Sequence, residues 1–234
     1  KIIENISKNT SVTDKIHSFS QQFEVKDYPF KFISNGLFGY IGHEAIEYFE
    51  NIKLNETKRG HEIPDLYYAI YQNIIAISLF NHEAHIFSHT FNTNHNIEII
   101  SQLLQNNHIS SFKFKKVGVK NSNLTDNQFI DFVLKAKEHC QRGDVFQLVL
   151  SRSFSQKFHG DEFNVYRSLR SINPSPYLFF FDYGNFKIFG SSPEAQLIIE
   201  NNVAEIHPIA GTFRRTRDDK KDAISALKLA KDPK

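Results

Sequence analysis

The sequence predicts a mixed helix-and-strand domain whose strands pair antiparallel. From Asn173 to Arg215 apolar runs alternate with hairpin signals: Tyr177–Asp182 and Phe186–Phe189 flank Gly184-Asn185, and Gln196–Glu200 and Val203–His207 flank Asn201-Asn202. Gly and Asn tolerate the positive φ of tight turns, and period-2 runs on either side fit strands. Four antiparallel strands in a meander are expected. Elsewhere apolar residues recur at helical spacing, as in Ile97, Ile100, Leu103 and Leu104. At 234 residues, with 40% hydrophobic residues and 23 Phe, the chain can bury a sizeable core and is not a disordered one.

Taken in order, residues 1–31 are polar, with Val12, Ile16 and Phe19 at the spacing of a short amphipathic helix. Glycines 36, 39 and 42 in GLFGYIG do not form the dinucleotide fingerprint. They read as a strand approached closely by another backbone. His43–Glu50 looks helical and places Glu44 and Glu47 on one face. Such a pair can hold a divalent cation, but a solvated helix face is the commoner use. Asn55–His61 reads as a polar loop. Leu66–Phe80 and Ala84–Phe91 read as a long hairpin around Asn81-His82-Glu83, in which His82, His85 and His89 are surface histidines rather than zinc ligands.

Asn96–Asn106 is an amphipathic helix, and Asn107–Asn123 a polar connection. Thr125-Asp-Asn-Gln128 is a capping-box pattern that starts a helix stopped by Gly143, with Phe129, Val133, Ala136 and Cys140 on one side. Cys140 is thereby expected in the core. Val145–Phe154 reads as a strand, Asp161 as the cap of a helix ended by Asn173-Pro174, and Asp218–Ala230 as a last helix.

The net charge is +2, from 28 basic and 26 acidic residues, so no global field points to nucleic acid or acidic membranes. One cysteine excludes an intrachain disulfide framework and fits a reducing compartment. No apolar run reaches the roughly 20 residues of a transmembrane helix, and no signal-peptide pattern opens the chain; a cytoplasmic location is expected. The chain contains no methionine and stops inside a helical pattern, so a piece of a longer polypeptide is expected. No internal repeat or linker divides it.

NPSPY, GSSPE and PIAGT stand at the ends of the predicted strands, where Gly and Pro fix the backbone and small residues leave room. That punctuation suits a small-molecule pocket. GSSPE (Gly190–Glu194) followed by PIAGT (Pro208–Thr212) resembles the chorismate-utilising enzymes. NPSPYLF (Asn173–Phe179) narrows the resemblance to the large, chorismate-converting components of anthranilate synthases. It extends over Gly36–Glu50, Pro64–Tyr71 and Phe146–Phe154.

The resemblance implies an α+β fold, with helices outside two packed, largely antiparallel β-sheets around a cleft. Residues 1–234 would form a single domain, with a subregion to about residue 110 followed by the start of the catalytic region. It implies a lyase that converts chorismate and ammonia to anthranilate and pyruvate in tryptophan biosynthesis, the ammonia coming from a glutamine amidotransferase partner. The Mg²⁺ of these enzymes is bound by E-x-x-E pairs that would lie beyond residue 234, so no metal ligand is expected in this chain, and the chain alone is expected to be inactive. Aminodeoxychorismate synthase, isochorismate synthase and a catalytically inactive binding module are the alternatives.

Hydroxide loss from the ring needs a general acid. Glu194 is the candidate for catalysis, since it matches the family's glutamate for that step; a rim carboxylate in water is the plainer reading. Thr212, with its hydroxyl, is the second catalytic candidate. Ala210, Gly211 and Thr212 match the turn that contacts the ring and its carboxylate, and Gly211 lets the main chain approach a ligand. Aminodeoxychorismate synthases typically carry a nucleophilic lysine where Ala210 stands, and a methyl group cannot attack. Asn173, Pro174, Leu178, Phe179 and Gly190 match positions of a tryptophan feedback pocket; core packing explains the phenylalanines equally well. Phe213-Arg214-Arg215 reads as a solvated charge run.

Overall fold

The computed structural model describes residues 11–24, 32–54, 63–90, 97–106, 112–209 and 212–231. The chain gathers into two compact units, Lys1–Ile109 and Ser110–Lys234. In the first, helix α1 (Val12–Ser20) starts at Ser11, whose hydroxyl accepts from the Asp14 amide at 3.2 Å. Strand β1 (Phe38–Ile41) pairs antiparallel with β2 (Leu66–Ala69). A Cβ at Gly39 would stand 1.8 Å from the Tyr67 carbonyl oxygen, so the close backbone approach expected of GLFGYIG is real.

A 3-10 helix, His43–Tyr48, follows and buries Ala45. Strands β3 (Asn73–Ser78) and β4 (Glu83–Ser88) form the next hairpin, with His82 at φ 56° in its turn. The expected strand Leu66–Phe80 is therefore broken near Ile70-Tyr71-Gln72. Its first part pairs with β1 and its second with β4, because each pairs with only one partner. Helix α2 (Ile97–Gln105) lies against β4. The loop Asn55–His61 lies outside the described residues.

In the second unit β5 (Lys115–Ser122) pairs with β6 (Phe154–His159), and α3 (Asp126–Arg142) stands between them in sequence. The capping box is formed as expected. The Thr125 hydroxyl accepts from the Gln128 amide at 3.3 Å, and the Gln128 side chain accepts from the Thr125 amide at 2.9 Å. Gly143, at φ 79°, ends the helix.

Three expectations fail here. The polar stretch before Asn123 contains β5, a lysine-rich strand exposed on most positions, which binary patterning does not reveal. Val145–Phe154 is not a strand: the ladder begins only at Phe154, opposite Ser122, where β5 supplies a partner. Before it the Ser153 amide donates to the Asn123 side chain at 2.9 Å, and Val149 is exposed. Cys140 is exposed, not in the core. The α3 face carrying Val133, Ala136 and Cys140 borders an open groove of about 460 Å³ shared with Leu148 and Leu150.

Helix α4 (Phe163–Ile172) is anchored at its start by Asp161, which accepts from the Phe163 amide at 2.9 Å. It packs on the hairpin of β7 (Tyr177–Asp182) and β8 (Lys187–Ser192), with Phe163 and Tyr166 against Phe180 and Phe189. Strands β9 (Ile198–Glu200) and β10 (Val203–Glu205) form the last hairpin, with Asn201 and Asn202 both at positive φ as their dipeptide foretells. Helix α5 (Asp219–Ala230) begins at Asp218, which accepts from the Lys220 and Lys221 amides.

The architecture is α+β and its strand pairs are antiparallel. Among the described residues the strands form five two-stranded sheets, so residues 177–205 make two hairpins rather than one continuous meander. Pro193, between β8 and β9, has no amide for a ladder, and Ser192 and Glu194 bond to each other instead.

Candidate functional site

An antiparallel hairpin returns its chain to the end where it began, and this brings the motifs together. In the β7–β8 register Tyr177 faces Ser192 and Phe179 faces Gly190, so NPSPY enters the hairpin where GSSPE leaves it. The Ser191 hydroxyl donates to the Asn173 carbonyl at 2.7 Å and joins the two. In the last hairpin Ile198 faces Glu205, which puts the start of PIAGT at the end where GSSPE arrives. The Ile209 amide donates to Glu194 Oε1 at 3.3 Å. Residues 173, 191, 194 and 209 thus form one connected cluster.

Glu194 is exposed, and its backbone is held by Ser192: the amide donates to the serine oxygen at 3.3 Å, and the serine hydroxyl donates to the Glu194 carbonyl at 3.1 Å. Its Oε1 is aimed by the Ile209 amide. Thr212 is exposed. Ala210 and Gly211 lie outside the described residues.

Of the positions matched to a tryptophan pocket, Phe179 lies over Gly190: its Cζ stands 2.7 Å from where a Cβ at residue 190 would be. An aromatic ring on a cross-strand glycine is a stable pairing in its own right. Leu178, two residues before Phe180, faces Ser191. Asn173 ends α4 by donating its amide to the Leu169 carbonyl at 2.8 Å, and Pro174 follows where the helix cannot continue.

At the turn end of the β7–β8 hairpin, away from the cluster, charged groups pair. Lys187 on β8 binds Glu162 at the start of α4, with Asp182 as a second partner at 3.7 Å. The lysine holds the Glu162 carboxyl below the usual carboxylate range, and the glutamate holds the lysine above its own. Past PIAGT, Asp222 on α5 accepts from the Thr216 amide (2.7 Å), the Thr216 hydroxyl (2.8 Å) and Arg215 Nε (3.1 Å). Those bonds, the Thr216 amide first, lower its pKa. Arg215 therefore has a structural partner, and Phe213, Arg214 and Arg215 border a groove of about 440 Å³ against α5. Glu194 borders neither this groove nor the one at α3.

Glu44 and Glu47 are exposed, as expected of a solvated face; of the three histidines expected at the surface, His82 is exposed, while His85 and His89 are half-buried. The Glu47 carboxylate accepts from the Leu54 amide, and His89 contacts the Ser34 carbonyl at 2.9 Å. Among the described residues no three His, Cys, Asp or Glu side chains converge to hold a metal ion. No helix among them is long and apolar enough to cross a membrane. Sequence reasoning missed Arg152, which donates to Asp126 (2.6 Å) and Ser122 (2.8 Å) and stacks on Phe154. Only the fold reveals it, since its partners lie 26 and 30 residues away.

On this α+β chain GSSPE and the start of PIAGT meet at the Glu194 carboxylate. The chorismate binding enzyme family matches residues 2–234, and the chain belongs to that family. Among its relatives is an anthranilate synthase component 1 from Acetivibrio thermocellus, 31% identical over 220 residues, which are 86% of this chain and 44% of the relative. One from Geobacillus stearothermophilus is 47% identical over 113 residues, 48% of this chain and 22% of the relative. The crystal structure of anthranilate synthase component I from Streptococcus pneumoniae TIGR4 superposes with TM-score 0.66 at 26% identity, covering 90% of this chain and 47% of that one. The chain spans about half the length of the curated relatives it matches.

Proposed function

We propose that the chain is part of an anthranilate synthase component I, a lyase of tryptophan biosynthesis in the cytoplasm that turns chorismate and ammonia into anthranilate and pyruvate. The observation that carries this reading is the Glu194 carboxylate held by the Ile209 amide, one residue before Ala210. Glu194 is the general acid: it protonates the ring hydroxyl as it departs as water, and the 3.3 Å bond from the Ile209 amide holds one of its oxygens in place. Thr212 offers a hydroxyl to the ring carboxylate, and Gly211 admits the ligand to the main chain. Ala210 supplies no amine, so the nitrogen comes from free ammonia, delivered by a glutamine amidotransferase subunit. The aminodeoxychorismate reading loses ground at this residue. Asn173, Pro174, Leu178, Phe179 and Gly190 are the proposed contacts for tryptophan as feedback inhibitor.

Mg²⁺ supplies charge stabilisation for the ring carboxylate in such lyases. Its ligands are proposed to lie in sequence beyond residue 234, and this 234-residue chain by itself is expected to turn over no chorismate. The natural polypeptide that carries this sequence is to be incubated with chorismate, Mg²⁺ and ammonium, and the product identified by mass and fluorescence. Fluorescent anthranilate with pyruvate released supports the reading. Aminodeoxychorismate with pyruvate retained moves it to the folate branch, and no turnover leaves a binding module.

A further inference from the structure

We propose that Ser191 is a positioning residue, whose hydroxyl ties the Asn173 turn to the loop that aims Glu194 so that the two move as one body. The inference rests on the reading of Glu194 as the acid. Helix α4 is held on the β7–β8 hairpin at one end by the Glu162–Lys187 pair and in the middle by Phe163 and Tyr166 on Phe180 and Phe189. At its other end the fastening is Ser191 Oγ on the Asn173 carbonyl, 2.7 Å. The next residue, Ser192, grips both backbone ends of Glu194, whose side chain reaches the Ile209 amide. Hydrogen bonds, joined by the one peptide link between 191 and 192, therefore run from the helix end to 191 and from 192 through 194 to 209. Ser191 is the joint at which the packed half of that run meets the exposed half.

Removing the hydroxyl leaves the strand pairing of β8 intact, because the ladder uses backbone groups. It also leaves the Asn173 carbonyl in an exposed place where water replaces the serine. The fold survives and the aim is lost.

The test compares Ser191→Ala and Ser191→Thr with the parent in the natural polypeptide, by amide hydrogen exchange at Glu194 and Ile209 and by chorismate turnover with ammonium. In Ser191→Ala exchange at both amides is expected to rise about tenfold. Its kcat should fall about tenfold with KM within about twofold, as for a misaimed catalytic group. Ser191→Thr, which keeps the hydroxyl and suits a strand, restores both. Unchanged exchange in Ser191→Ala, or equal loss in Ser191→Thr, overturns the proposal. If the parent makes no product, the proposed activity fails, while the exchange comparison alone still decides the coupling.

Discussion

Substituting Gly39 by alanine tests the closest backbone approach in the first unit. The added Cβ would meet the Tyr67 carbonyl oxygen at 1.8 Å, its carbon at 2.8 Å and the Tyr68 Cα at 2.8 Å, whereas ordinary contact begins near 3.4 Å. All three atoms are backbone, so no rotamer change relieves the overlap. Strand β2 must draw away from β1, and the ladder between Phe38–Ile41 and Leu66–Ala69 opens at its centre. With two to four ladder bonds lost at about 1 kcal/mol each, the cost is roughly 2–4 kcal/mol. That is a large part of the roughly 5–15 kcal/mol that holds a typical protein folded. Gly42→Ala is the control, since its nearest atom is the Asp65 carbonyl oxygen at 3.1 Å. Urea denaturation of the two variants should separate their midpoints clearly at equal slope. Equal midpoints would refute the close-approach argument.

Replacing Thr125 by alanine removes one half of the capping box on α3 and should lower stability by about 1 kcal/mol, read as a shift in urea midpoint; Thr125→Ser should retain most of it. Glu162 sits below the usual carboxylate range in the fold, so its contribution is present at neutral pH and is lost as pH falls through its folded value. Lys187 is raised, so its share persists at neutral pH and is lost only as pH rises through its folded value. The melting temperature of Glu162→Gln should accordingly converge on that of the parent in acid and fall below it near neutrality. Asp222→Ala should free Arg215 and Thr216 and speed amide exchange at Thr216, with little change at Gln128. Glu194→Gln keeps an acceptor for the Ile209 amide but no acid, so turnover by the natural polypeptide should drop about 10²–10⁴-fold without loss of folding.

Much of the second unit was legible because its signals are local. Thr125 and Gln128 meet within one helical turn, Asn201-Asn202 carry their turn in two residues, and Gly143 ends α3 by its own φ. The failures are of the opposite kind. Strand β5 has only Val117 and Val119 among lysines and asparagine, and its partner β6 lies beyond an intervening helix, so no local pattern announces the pair. Cys140 has the spacing of a core residue, but periodicity shows which residues share a face and not whether anything covers it. At the candidate site the motif residues could be named from sequence, yet the link between Glu194 and Ile209 depends on where two hairpins end.

The two prolines of NPSPY have a consequence for how the chain behaves before it is folded. Tyr177–Phe181 is an uncharged run of aromatic and aliphatic residues, the composition that stacks between molecules into fibrillar sheets. Among the described residues β7 has a single strand neighbour, β8, and an open edge of such a strand is the place where another copy would pair. Pro174 and Pro176 stand immediately upstream without an amide to donate, and Asp182 places a charge at the far end. A stray copy of this segment is thus denied a longer register at either side. The same turn that closes the helix against the hairpin acts as a gatekeeper during synthesis, when the aromatic strand is still bare.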